Sequence, residues 1–157
     1  MADIESNAGG HATAREHAGL KHLHAYWDGK RAGRACPRKA DIDPVEIPFL
    51  LANIVLFQIL ECGADARCRI VGGVIEEFSR RSLTGAVLSR AAVPAFDAAF
   101  RVHLRNAVAG CVPAFFTGRV DSNDGQPPML LDTVLLPLSG DGTVVDFVVG
   151  AMFPRLR

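Results

Sequence analysis

Apolar positions follow two rhythms along this chain, and the switches between them divide it into elements. In "AREHAGLKHLHAYWD" (14–28) Leu20, Leu23 and Trp27 recur at i, i+3 and i+7, one stripe of a helix. Glu16 and His24 flank that stripe, Lys21, His22 and Asp28 look outward, and Gly29 ends the helix because glycine takes a left-handed conformation cheaply. A second helical face opens at Pro94, where Phe96, Phe100, His103, Leu104 and Ala107 share one side, Arg101 and Arg105 lie on the other, and Gly110 stops the run. Strand-like runs cover Asn53–Leu60, Arg67–Val71, Pro113–Asp121, Met129–Leu138 and Thr143–Phe153, separated by the turn-type stretches "CGAD", "SNDGQP" and "SGDG". Gly72-Gly73 breaks the second run, and "VIEEFSRR" reads as a short helix before the turn "SLTG".

The acids ahead of the first strand require a decision between chemistry and folding. In "ADIDPVEIPFLL" Asp43 suits a helix N-cap, Pro44 the first helical position, and Glu46 stands three residues on, where it can reach back in a capping box. No acid or base partner lies near in sequence, so the acids are assigned to starting a short helix over Pro44–Leu51 rather than to catalysis.

Composition narrows the class. With 157 residues and 49% hydrophobic content the chain has material for one domain with a sizeable core. Lys+Arg and Asp+Glu stand at 17 each, so phosphate neutralisation has no basic surplus to draw on, and nucleic acid is not an expected partner. The longest apolar stretch, Ile47–Phe57, contains Pro48 and Asn53 and is too short to span a bilayer. A cytoplasmic protein is expected, with a disordered lead over 1–13, a helix and basic connector over 14–40, and the main domain over 41–157. Cys36, Cys62, Cys68 and Cys111 form no C-x-x-C pair and are expected to be scattered reduced thiols.

The order of helix, short helix, two strands, short helices, long helix and three strands is that of a PAS domain, and the residues narrow it further. Tyr26-Trp27 at a helix end, "KADIDP" with "IPFLL", the "R-h-V-G" turn at Arg69–Gly72, "LTG" at Leu83–Gly85 and "LLPLSGDG" together resemble the type-five family of small bacterial single-PAS proteins. The match spans roughly Leu20 to Phe153, and Ser79-Arg80-Arg81 departs from it where the family places a glycine-bearing turn. The resemblance implies an α+β fold: a five-stranded antiparallel sheet with helices on one face and an N-terminal helical extension. It also implies a non-enzymatic sensory or interaction module, without naming a ligand.

Candidate sites follow from that frame. Phe78, Phe96, Phe100 and His103 are expected to line a ligand cleft between the long helix and the sheet. His103 is the position from which haem-binding relatives ligate iron, by analogy, but a pocket-lining histidine hydrogen-bonded to backbone or water is the expectation, and neither haem nor flavin is expected. None of the cysteines sits in an Asn-Cys-Arg setting, the signature of a flavin adduct. His11, His17, His22 and His24 are too loosely spaced on a helix for a metal site. The stripe Leu20, Leu23, Tyr26 and Trp27 must pack somewhere; a homodimer contact is the favoured reading and its own sheet the other. Signal output is expected to pass to a separate signalling protein. Two alternatives remain: a structural adaptor with a solid core, and a small enzyme built on His103, Asp132 or Asp146.

Overall fold

In the computed structural model, residues 14–121 and 125–155 are described. The expected lead over 1–13, His11 included, lies outside them. Helix α1 (Ala18–Lys30) is followed by strands β1 (Ile54–Leu60) and β2 (Asp65–Val71), helices α2 (Gly73–Ser79) and α3 (Ala98–Gly110), then β3 (Ala114–Val120), β4 (Met129–Leu138) and β5 (Phe147–Pro154). The strands form one sheet in the order β2-β1-β5-β4-β3, with every pairing antiparallel. The expected α+β architecture is therefore present.

Both faces of this sheet are covered, and its residues alternate between two cores. Val55, Phe57, Phe116, Leu131, Leu135, Val148 and Met152 point to the inner face, under α3 and the turn at Pro94–Phe96. Ile54, Leu56, Phe115, Val134, Leu136, Val149 and Ala151 point to the outer face, under α1. A strand buried on both sides reads as a continuous apolar run rather than an alternating one, which accounts for "LLDTVLLPL" in β4.

Helix α1 is the outer cover. His17 caps it, its Nδ1 accepting from the Gly19 N–H at 3.1 Å, and its ring packs 4.3 Å from that of Phe153 at the end of β5. Leu20, Leu23 and Trp27 are 0%, 0% and 1% exposed. The Trp27 indole donates to the Pro137 carbonyl at 2.8 Å, so the ring is buried without leaving its N–H unpaired. The stripe read as a contact for a second copy is thus consumed by the chain's own sheet, because β4 and β5 present an apolar outer face that α1 covers together with Cys36, Ile47 and Leu50. Tyr26, at the edge of the stripe, is half-buried and accepts from the Asp43 N–H at 2.8 Å while donating to Glu46 at 2.9 Å.

Local differences from the sequence expectation have local causes. The helix expected over Pro44–Leu51 is two 3-10 turns, Pro44–Glu46 and Pro48–Asn53, because Pro48 supplies no N–H and drives Ile47 out of helical geometry (φ −132°, ψ 48°). Asp43 does cap, accepting from the Val45 N–H at 3.0 Å, but Glu46 pairs with Lys30 at 3.0 Å instead of closing a capping box. Strand β5 starts at Phe147 rather than Thr143, since Asp141 accepts from the N–H groups of Thr143 and Val144 at 2.8 Å each and holds that stretch as a loop. Gly72 is required: a Cβ there would lie 2.4 Å from the Ala52 carbonyl oxygen. Arg80, in the stretch that departs from the family pattern, ends α2 with a left-handed φ of 57°, the conformation glycine would otherwise supply.

The basic connector is neutralised from within. Asp41 accepts from Arg38 and Arg34 side chains at 3.1 and 2.8 Å, and those guanidiniums, Arg38 first, hold its carboxyl well below the usual range. Arg31 pairs with Asp28, and the Lys39 ammonium sits 4.9 Å over the Phe147 ring.

Two outcomes follow. Trp27→Ala removes the anchor of the outer core and is expected to lower unfolding free energy by about 3–5 kcal/mol in a denaturant titration; a loss below about 1 kcal/mol would show α1 to be dispensable. His24 packs edge-on to Phe115 at 5.3 Å, and burial lowers its pKa below the ordinary 6.5. The unfolded chain takes up that proton first, so stability is full above pH 6.5 and falls as pH drops below it. Denaturation midpoints between pH 7 and 5 should fall more steeply for the wild type than for His24→Gln.

Candidate functional site

Aromatic rings occupy most of the space between α3 and the inner sheet face. Asp97 caps α3 by accepting from the Phe100 N–H at 2.9 Å, which fixes the helix rotation and turns Phe100 and Leu104 onto the sheet. Phe96, just upstream, lies 4.8 Å from Phe100 between ring centroids. Phe57 of β1 meets Phe96 at 5.4 Å and Phe100 at 5.8 Å, and Phe100 meets Phe116 of β3 at 5.8 Å. These tilted and edge-on contacts are the favoured geometry for packed rings, so the cluster is a solid core.

What remains open is a cleft of about 220 Å3 beside that cluster. Phe100 and His103 of α3 form one wall, Phe116 and Gly118 of β3 and Leu131 and Thr133 of β4 another, and Met152 of β5 the floor. His103 lies flat on Phe116, centroids 4.0 Å apart and planes within 9°. Gly118 contributes width: a Cβ built there meets no atom closer than 3.9 Å.

The four residues expected to share one cleft are distributed over three places. Phe100 and His103 line the 220 Å3 cleft. Phe96 is 4% exposed and borders a depression that opens to solvent beside Leu88 and Arg101. Phe78, on α2, faces a broad groove shared with Glu77, Pro127 and Met129. Phe116, Gly118, Thr133 and Met152 belong to the cleft and escaped the sequence reading, because strand residues reach it only through the register of β3, β4 and β5.

A family model described as a PAS domain, type five, matches residues 15–153. The chain belongs to this family. No curated protein matches the PAS domain described here. Solved structures resemble it: the light-state structure of the blue-light photoreceptor Aureochrome1 LOV, 15% identical, covers 71% of this chain and 88% of its own at a TM-score of 0.50. A Rhodobacter sphaeroides LOV protein is 14% identical, over 74% of this chain and 70% of that one, TM-score 0.48. At 15% identity the likeness to Aureochrome1 LOV speaks for the fold alone.

Neither Asp132 nor Asp146 joins His103 at the cleft of this PAS domain, whose other polar lining residues are Asp97, Thr117, Arg119 and Thr133. Asp132 of β4 points to the outer face, the side away from His103, where it accepts from Thr117 at 2.8 Å and from Arg155 at 2.7 Å. Asp146 lies between β4 and β5 at the far end of the outer core, its N–H donating to Leu138. The histidines of the α1 segment also part company: His17 is on Phe153, His22 edge-on to Phe49 at 4.6 Å, and His24 against Phe115. Among the described residues no helix is long and apolar enough to cross a membrane.

Asp132 is 4% exposed, so its carboxylate depends on Arg155 for compensation. Arg155→Ala leaves that charge buried and is expected to cost about 2 kcal/mol, discounted for the solvent reaching the arginine. Adding Asp132→Asn to that variant should restore most of the loss, as read from urea unfolding midpoints.

Proposed function

We propose that this PAS domain is a non-enzymatic sensor in a signalling pathway, taking a small guest in the cleft between α3 and the sheet. The observation that carries the reading is the 220 Å3 opening beside His103, set against an otherwise filled inner core. Small-molecule sites usually run ~300–1,000 Å3, so the guest class is a single-ring or short-chain compound. The face of the His103–Phe116 stack offers it an aromatic wall, and the Thr133 hydroxyl, which donates to the Leu131 carbonyl at 3.2 Å, keeps an acceptor lone pair for it. Output passes by contact to a second protein chain. Among the exposed apolar side chains, Val45 and Phe49 are 82% and 61% exposed and stand on the turns tied to α1.

A planar cofactor of flavin or haem size is a poorer fit. The Phe57, Phe96 and Phe100 rings fill the slab between α3 and β1 that such a plane would need, and His103 commits one ring face to Phe116. The adaptor reading, with no guest, draws on the same filled core; the cleft beside it favours the sensor.

Gly118→Val tests the choice. It plugs the cleft where the backbone leaves room for a Cβ, so stability should stay within about 1.5 kcal/mol of wild type. Native mass spectrometry of protein purified from its source should show a bound mass of a few hundred daltons or less on wild type, absent from the variant. A bare mass for both would favour the adaptor.

A further inference from the structure

Two of the four cysteines, 75 positions apart in sequence, meet in the fold, with the Cys111 and Cys36 sulfurs 3.1 Å apart and the Cys111 S–H directed at Cys36. We propose that Cys36 and Cys111 form a reversible disulfide that staples the outer cover of the sheet to the inner helix. A disulfide bond is about 2.05 Å long, so closure needs a movement of about 1 Å. The two thiols belong to different layers. Cys36 is 2% exposed in the outer core, on the connector that follows α1, held there by the Ser139 N–H donating to the Pro37 carbonyl at 2.8 Å. Cys111 directly follows α3 and packs against both the inner and the outer core.

Three further features suit a thiol pair. Cys111 adopts a left-handed φ of 49°, a conformation that disfavours any side chain, and it does so one residue after a glycine. That backbone turn is what brings its sulfur back toward Cys36. Cys111 is only partly buried and so is reachable from solvent, whereas Cys36 is enclosed. Asp146 Oδ1 is buried and has no hydrogen-bond partner among the described residues. Its negative charge bears on Cys36, whose thiol is pushed up to about 12, first by burial and then by its bond with Cys111. Cys36 is therefore protonated at rest, and Cys111, the sulfur reachable from solvent, is the one that meets an oxidant first.

The oxidant is a low-molecular-weight disulfide. Cys111 gives up its proton and attacks one sulfur of that disulfide, breaking its S–S bond and releasing the first thiolate, which takes up a proton. Cys36 then gives up its proton as it attacks Cys111 Sγ. The mixed disulfide breaks, the second thiolate leaves and takes up a proton, and the Cys36–Cys111 bond is formed. Two protein thiols are oxidised and one small disulfide is reduced to two small thiols.

The test uses the full chain carrying Cys62→Ser, which removes the exposed thiol. It is equilibrated with oxidised glutathione, quenched in acid, alkylated and mapped by mass spectrometry. A Cys36–Cys111 cross-linked peptide with Cys68 alkylated is expected, together with a melting temperature raised by roughly 5–10 °C for a loop of this length. Adding Cys111→Ala should abolish the rise and leave three thiol positions reduced to two unlinked ones. Full alkylation of Cys36 and Cys111 after equilibration would overturn the proposal, as would glutathione held stably on Cys111 with Cys36 still free. Thiol mapping of the parent protein decides the matter even if Cys111→Ala fails to fold. None of these outcomes bears on whether the cleft beside His103 takes a guest.

Discussion

The structure depends on a sheet that must be dry on both sides. Its central strand β5 and the neighbouring β4 carry apolar residues in both phases of the pleat, so a helix on one face alone would leave Val134, Leu136, Val149 and Ala151 in water. Helix α1 removes that exposure, and Trp27 fixes it in place by combining full burial with a hydrogen bond to the backbone of β4. Burial of large side chains contributes about 1.5–3 kcal/mol each, so the three residues of the stripe account for a substantial part of the net stability of a domain this size. The N-terminal segment is in this sense part of the fold, and the family match beginning at residue 15 agrees with it.

The other face poses the opposite problem. There the helix α3 must stand off the sheet far enough for aromatic side chains, and the rings of Phe57, Phe96, Phe100 and Phe116 then use up most of the gap. On the sheet side the short residues Gly118 and Thr133 line the cleft between the larger Phe116, Leu131 and Met152. Ala95 and Ala99 add short side chains on the helix side, so the shape of the remaining space is set from both layers.

Short-range patterns in the sequence identified most of this. The i, i+3, i+7 stripe located α1 and its buried residues, and the face of Phe96, Phe100 and Leu104 located α3. What they could not identify was the surface each stripe would meet, because that depends on the covering needs of strands more than a hundred residues away, such as Trp27 against Pro137. The same limit hid the approach of Cys36 to Cys111, and the strand side of the cleft. Pro48 and Asp141 are different cases: their local chemistry was visible in the sequence, and it prevailed over the helix and strand drawn through them. The acids before β1 did prove to be folding residues, but Glu46 serves as an anchor for Tyr26 and Lys30 instead of a cap.

Met152 and Phe153 are consecutive in β5 and so look to opposite sides of the sheet. The first forms the floor of the cleft, and the second meets His17 at the start of α1. A guest that displaces the methionine acts on a peptide unit whose other neighbour seats the outer cover. The inside of the molecule and the first turn of its N-terminal helix are therefore mechanically one residue apart, and a signal crossing the sheet would not have to travel along it.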